Sequence, residues 1–557
     1  MISIRKTLLL PLLWCCSLTL QAQSSVLSSG DWYKFAVEKT GVYKISFDLL
    51  KKAGIDPAKV DPRHIRIFGL SGGMLPQPNA IQRPRDLIEN AIFVGGEADG
   101  KFDKGDYILF FAQDADKVGF EISRGIYEYE NNLYSDYNYY FLNISADEGK
   151  RLGTAEDIPG TFPIVNTFNG FAYHEKDEYN VERSGREWFG EKFGLNPSQT
   201  ISFNLPGITP GSSVKVVSDV MGQSYTEASF RLYWNNIPVA EQHIPAIPNG
   251  RYSVKGLHSR DTITADGSAL NASGRATQEL KYEFVKGTGF SQGFLDFVLL
   301  SVTRDLSLYD NQTIFLSDAS LANATSTFRV SNVPQTALIW DITDPYNVKS
   351  QLFSLNGTAA SFSSSTTALK RWIVFNSTIP EPAFVSMIPN QDLLALSTPN
   401  LLIITHPHFK DQALRLAAHR QAFDNWSVEV VTTHQIFNEF SGGRQDVTAM
   451  RDFAKFLYDK DPSALRAILF FGKGSYDYKD RIENNSNFVP TYQSRNSLHP
   501  LQTYSSDDYF AFLEDGEGAW EESPAQAHTL DVGVGRLPVT SAEQAQSVVD
   551  KIIEYDT

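Results

Sequence analysis

The sequence predicts a multidomain chain: a β-rich N-terminal region that includes a β-sandwich, followed by an α/β half-domain built on a mostly parallel sheet. Three observations predict this. Short alternating apolar runs recur at turn-signalled intervals through the first two thirds of the chain, as strands of stacked sheets do. Near Asp392 the period changes to continuous apolar runs alternating with helical stripes, the pattern of a parallel sheet covered on both faces. The aromatic content, 37 Phe and 24 Tyr in 557 residues, suits pleated surfaces.

The N-terminus reads as a signal peptide over residues 1–22. Arg5 and Lys6 form a basic start, Leu8 to Leu20 an apolar core, and Ala22 a small residue before the cut. No other run approaches the roughly 20 apolar residues of a membrane span, so no transmembrane helix is expected once the signal is removed. Cys15 and Cys16 are the only cysteines. A chain starting at Gln23 therefore has no disulfide, no thiolate metal site and no cysteine nucleophile. The net charge of −16 excludes a nucleic-acid partner, which needs clustered Lys and Arg.

Residues 23–195 are expected to form a β-rich N-terminal domain. "GVYKISF" (Gly41–Phe47), "HIRIFGL" (His64–Leu70), "DYILFFA" (Asp106–Ala112) and the end of Tyr127–Ile144 read as strands, and residues 146–195 as loop. Residues 196–395 are expected to form the β-sandwich, from runs such as "SSVKVVSDVM", "ASFRLYWNN", "ATQELKYEFV" and "FLDFVLLSVTRDL". Residues 396–557 are the α/β segment. Its strands are "NLLIITH" (Asn400–His406), "SVEVVTT" (Ser427–Thr433), "LRAILFFG" (Leu465–Gly472) and "DVGVG". Helical stripes run through Ala413, Leu416 and Ala417, and through Met450, Phe453, Ala454 and Leu457. A last helix, opened by a Thr540/Glu543 capping box, presents Ala545, Val548, Val549, Ile552 and Ile553.

An open parallel sheet binds ligands beyond the carboxyl ends of its strands. Those ends carry "THPHF", "FGKGSYDY" and "GVGRLPV". Gly472 and Gly474 read as turn formers, since neither GxGxxG nor a Walker sequence is present. His406 and His408 have metal-ligand spacing, but no third ligand accompanies them, and capping is the alternative. Arg536 reads as a structural ion-pair partner. Calcium candidates are Asp507 and Asp508 in "YSSDDYF", and Asp99, Asp103 and Asp106 in "EADGKFDKGD"; turn hydrogen bonds are the alternative for both. "GLSGG" matches the nucleophile elbow around Ser71, but Gly72, Gly73 and Pro76 forbid the helix that must follow.

At "FFGKGSYDY", "YSSDDYFAF" and "VGVGRLPVTSAEQAQSVVDKIIEY", following "LLIITHPHF" and "FNEFSGGRQDVTAMRDFAKFLY", the chain resembles the gingipain-type cysteine peptidases, family C25. The β-rich region with "DGKFDKGDYILFF" and "ALIWDIT" is most similar to a member that acts as sortase of the type IX secretion system. Lys473 departs from the acidic residue expected there. The resemblance implies a caspase-like α/β/α domain in two halves, with the catalytic histidine in a Gly-His-Gly type motif and the cysteine after a later strand. This sequence has no His-Gly pair, so no catalytic residue is carried over. It is expected to be an N-terminal fragment, inactive alone, of an enzyme that removes C-terminal sorting signals from exported proteins. Implied partners are that cargo and other type IX components, at the periplasm or outer-membrane surface of a Gram-negative bacterium. The alternative is a non-catalytic secreted binding protein of the surface or export machinery.

Overall fold

The structure, a computed structural model, describes residues 24–270, 272–287, 289–520 and 528–557. The expected signal segment, with Cys15 and Cys16, lies outside them. The first layers are two sheets that enclose one core. Asp31–Val37 lies between Asn138–Ile144 and Ala383–Ile388, with Ile65–Gly69 and Ile88–Asn90 beyond Asn138–Ile144. Gly41–Ser46, Tyr107–Ala112 and Ile92–Gly95 form the facing sheet. Their alternating residues Phe35, Ile45, Ile67, Ile108, Phe110 and Leu142 fill the space between. Strand pairing thus joins Trp32 to Ile388, and does not follow the linear division of the chain.

The sandwich expected over the middle of the chain is present. A sheet of Thr167–Glu175, Ser291–Asp305, Ser213–Ser224 and Leu257–Asp266 packs on one of Ser198–Asn204, Thr277–Val285, Ala228–Trp234 and Ile237–Ile244. Phe230, Trp234, Tyr282 and Leu300 lie at its centre, fully buried. A second, smaller pair of sheets follows around Phe328, Phe362 and Trp372. The loop reading of 146–195 is corrected: Thr167–Glu175 is a nine-residue strand paired along its length with Ser291–Asp305. Gly170 breaks its sequence pattern, and the Arg304 side chain occupies the space a Cβ would need.

The α/β segment is built from β1 (Leu401–Thr405), α1 (Lys410–Asp424), β2 (Val428–Thr432), α2 (Thr433–Phe440), α3 (Val447–Lys460), β3 (Ala467–Phe471), β4 (Gly533–Leu537) and α4 (Ala542–Asp556). The sheet order is β2-β1-β3-β4, all parallel. β1 is central and buried at every position, which is why its sequence is an unbroken apolar run. One face is covered by α1 and α4 through Ala413, Leu416, Ala545 and Val549. The other is covered by α2 and α3 through Ile436, Phe440, Phe453 and Leu457. The N-cap of α4 is Ser541, one residue later than the sequence reading placed it. Its hydroxyl accepts from Gln544 N, and the Gln544 side chain takes the Thr540 N–H in return.

Candidate active-site cleft

The chain runs from β1 to β2 on one side, then crosses to β3 on the other, so the carboxyl ends of β1, β3 and β4 open at a point where the strand order reverses. A cleft of about 460 Å³ lies beyond the carboxyl ends of β3 and β4. Its walls are the turn after β3 (Lys473–Tyr476), the segment Asn484–Ser486, Thr491, the pair Ser505–Ser506, and Arg536 with Pro538 at the end of β4.

Arg536 holds these loops together. Its Nε and Nη2 donate to the two Asp507 carboxylate oxygens, each at 2.7 Å. Nη1 donates to Gly472 O and Val489 O, both at 2.7 Å, and Nη2 reaches Pro490 O at 3.3 Å. The guanidinium lies over the Phe470 ring, 5.0 Å from its centroid. A planar fork of donors is needed for this arrangement, and only arginine supplies one. Asp507 also accepts from Thr491 Oγ1 at 2.8 Å, so one carboxylate ties the wall at 491 to β4.

The turn after β3 is fixed by close packing. Gly472 has φ +144°, and a Cβ there would stand 2.8 Å from Val489 Cγ2. At Gly474 a Cβ would stand 2.9 Å from Thr491 Cγ2. Both glycines allow the 487–491 segment to lie against the turn, whose Lys473 carbonyl accepts from Phe488 N and Val489 N. Asp477, fully buried, organises the next loop. Its carboxylate accepts from Lys479 N and Ile482 N, and its carbonyl from Asn485 Nδ2.

His406 ends β1. Its Nδ1 accepts from His408 N at 3.2 Å, the capping role, and its ring stands 5.5 Å from that of His434. Burial first, then the neighbouring rings of His434 and His408, push His406 down to about 4. Asp508 heads a short 3-10 turn and its N–H donates to Ser506 Oγ. Asp99 accepts from Lys101 N, and Asp106 from Asp103 N, within one exposed loop far along the chain from the cleft. Ser71 donates to the Tyr346 hydroxyl at 2.9 Å and no helix follows it. The residues lining the cleft include serines, a threonine, a lysine and asparagines, but no histidine or cysteine. The arrangement can bind a polar, extended chain. It holds no paired nucleophile and base. The wall from 482 to 491 carried no sequence signal beyond its position after β3.

Residues 395–557 match the model of peptidase family C25. The gingipain-type segment expected from the motifs is therefore present in that stretch. Over 96% of its length the chain superposes, with a TM-score of 0.81 and 23% identity, on 50% of the chain in the crystal structure of dimeric latent PorU from Porphyromonas gingivalis. At that identity the likeness shows the fold, and this chain spans half the length of that one. A CBM36 carbohydrate-binding module, solved with calcium and xylotriose, matches 23% of this chain and 97% of its own at 9% identity, with a TM-score of 0.14 that carries no argument. No curated protein matches the chain.

Proposed function

We propose that this chain is the scaffold-bearing part of a PorU-like cysteine peptidase that removes C-terminal sorting signals from exported proteins. The observation that carries the reading is the C25 match over 395–557 on a chain that shares the PorU fold almost throughout, with a cleft at the expected end of the sheet. In this reading the cleft walls hold the substrate's extended backbone, and Arg536 with Asp507 keeps those walls in place. Cysteine catalysis requires a thiolate and a base. The two cysteines are at 15 and 16 and no His-Gly pair occurs, so the reading puts both catalytic groups outside these 557 residues. The substrates are exported proteins bearing C-terminal sorting signals, and other type IX secretion components are partners at the outer-membrane surface or in the periplasm.

A sorting-signal peptide offered to the chain alone should bind without being cleaved, and Ser506→Trp, which fills the cleft, should abolish binding. Turnover by this chain alone would overturn the placement of the thiol elsewhere. Binding that is unchanged in Ser506→Trp would overturn the assignment of the cleft. The missing thiol also favours a second reading, a non-catalytic binding component of the export machinery. That reading expects tight association with a partner protein and no dependence on the cleft.

A further inference from the structure

A second cluster of ligating side chains lies outside the cleft lining, on the outer face of the sandwich sheet, and it stands independently of the peptidase reading. Three adjacent strands, Ser213–Ser224, Leu257–Asp266 and Ser291–Asp305, each contribute one residue: Asp219, His258 and Asp296. One ligand atom of each lies within 4.8 Å of the others, the one such group of three among the described residues. His258 Nδ1 is already 2.9 Å from Asp219 Oδ1, and Glu187 Oε1 stands 3.9 Å from the other ring nitrogen.

The backbone is built to bring Asp296 in. Asp219 pairs with Phe297 but Val220 with Leu295, so Asp296 is an extra residue in a β-bulge. A bulge re-aims a side chain that regular pairing would send to the opposite face. The displaced carboxylate makes no hydrogen bond among the described residues. The charges that face it include His258 and four further acids, Asp219, Glu187, Asp177 and Glu175. Of the cations around the group, Arg481 pairs Asp177, Lys479 pairs Asp136 at 2.8 Å, and Arg260, the register partner of Asp219, lies over the Phe297 ring, 4.8 Å from its centroid. A single imidazole therefore faces an excess of carboxylates, an arrangement that a divalent cation neutralises.

We propose that Asp219, His258 and Asp296 form a metal site for a zinc-like divalent transition ion. The imidazole selects against calcium and magnesium, which take oxygen ligands. Zinc accepts one imidazole nitrogen and carboxylate oxygens at about 2.0–2.2 Å. The ligand atoms need only a small closure to reach that sphere. The bound ion would tie three neighbouring strands together beside the cluster where Phe189, Met221 and Phe294 meet Leu498 of the α/β segment.

The test uses the full chain carrying Cys15→Ser and Cys16→Ser, so that no thiolate competes, stripped with chelator and then given zinc chloride. After desalting, the parent should hold one equivalent of zinc by elemental analysis and melt several degrees higher than the stripped form. Asp296→Asn, which keeps shape and removes one like charge, should melt at or above the stripped parent. It should lose that equivalent and the zinc-induced shift. His258→Gln gives a second variant with the same expectation. A parent that holds no more zinc than either variant, or an equivalent displaced by calcium at equal concentration, would overturn the site.

Discussion

Replacing Arg536 with alanine should loosen the cleft more than any other single change to its walls. The substitution leaves the Asp507 carboxylate and the carbonyls of Gly472 and Val489 without donors that now stand at 2.7 Å. The two side chains are 13% and 18% exposed, so water can reach part of what is abandoned. Breaking a fully buried pair by removing one partner costs about 3–5 kcal/mol, and the partial exposure places this one near the lower end, about 3 kcal/mol. Arg536→Lys should recover little, because an ammonium cannot serve a bidentate carboxylate and two carbonyls together. The measurement is denaturant unfolding, combined with hydrogen exchange at Lys473 N, Phe488 N and Val489 N, whose bonds join the loops around the arginine. A double-mutant cycle with Asp507→Asn should return a coupling above about 1.5 kcal/mol. An Arg536→Ala chain that unfolds within about 1 kcal/mol of the parent, no more than an exposed ion pair contributes, with unchanged exchange at those amides, would refute the clamp.

Gly472→Ala should cost about 2 kcal/mol or more, because φ +144° disfavours any side chain and the new methyl meets Val489 Cγ2; thermal melting reads it. Glu439, 0% exposed, is raised to about 7, chiefly by burial, while bonds from Gln391 and Leu393 N oppose the shift. Its folded pKa lies above its unfolded value, so its contribution is full below pH ~4.5 and is lost as the pH rises through about 7. The loss is on the order of 3 kcal/mol, and Glu439→Gln should flatten the stability profile across that window. For His406 the folded pKa of about 4 lies below the unfolded value, so its contribution is present above pH ~6.5 and is lost as the pH falls through about 4. Its resonance followed by NMR should titrate near 4, and His406→Asn, which keeps a capping acceptor, should remove that acid sensitivity.

The parallel sheet was legible because burial on both faces writes itself into sequence as apolar runs, as at Leu401–Thr405. α2 escaped notice although Thr432 and Gln435 spell a capping box, which the structure contains in full; the segment was absorbed into the strand reading of Ser427–Thr433. At α4 two overlapping boxes, Thr540/Glu543 and Ser541/Gln544, fit the sequence equally; hydrogen bonding puts the N-cap at Ser541, while the Gln544 side chain serves Thr540 N instead of the N-cap N–H. The strand Thr167–Glu175 was hidden by a glycine that answers to Arg304, 134 residues away. The role of Arg536 as an ion-pair partner could be read from its place near the end of a strand, but not its partner Asp507, because contacts between a strand end and a distant loop have no period. The Asp219–His258–Asp296 group was invisible for the same reason: it exists only once three strands are in register and one of them is bulged.

The strand Ala383–Ile388, which borders Asp31–Val37, has a consequence for how the molecule is made. During synthesis, the first sheet must wait for some 350 residues before its last strand arrives, and the closure entropy of so long a loop falls on that single step. Until then Asp31–Val37 has one bare edge, able to pair with any passing strand. The α/β segment follows directly and sets its own side chains onto the same region, with Gln391 bonded to Glu439 and Lys34 to the Gly443 carbonyl. The order of events is therefore imposed by topology: the sandwiches can form as they emerge, while the oldest part of the chain is finished almost last.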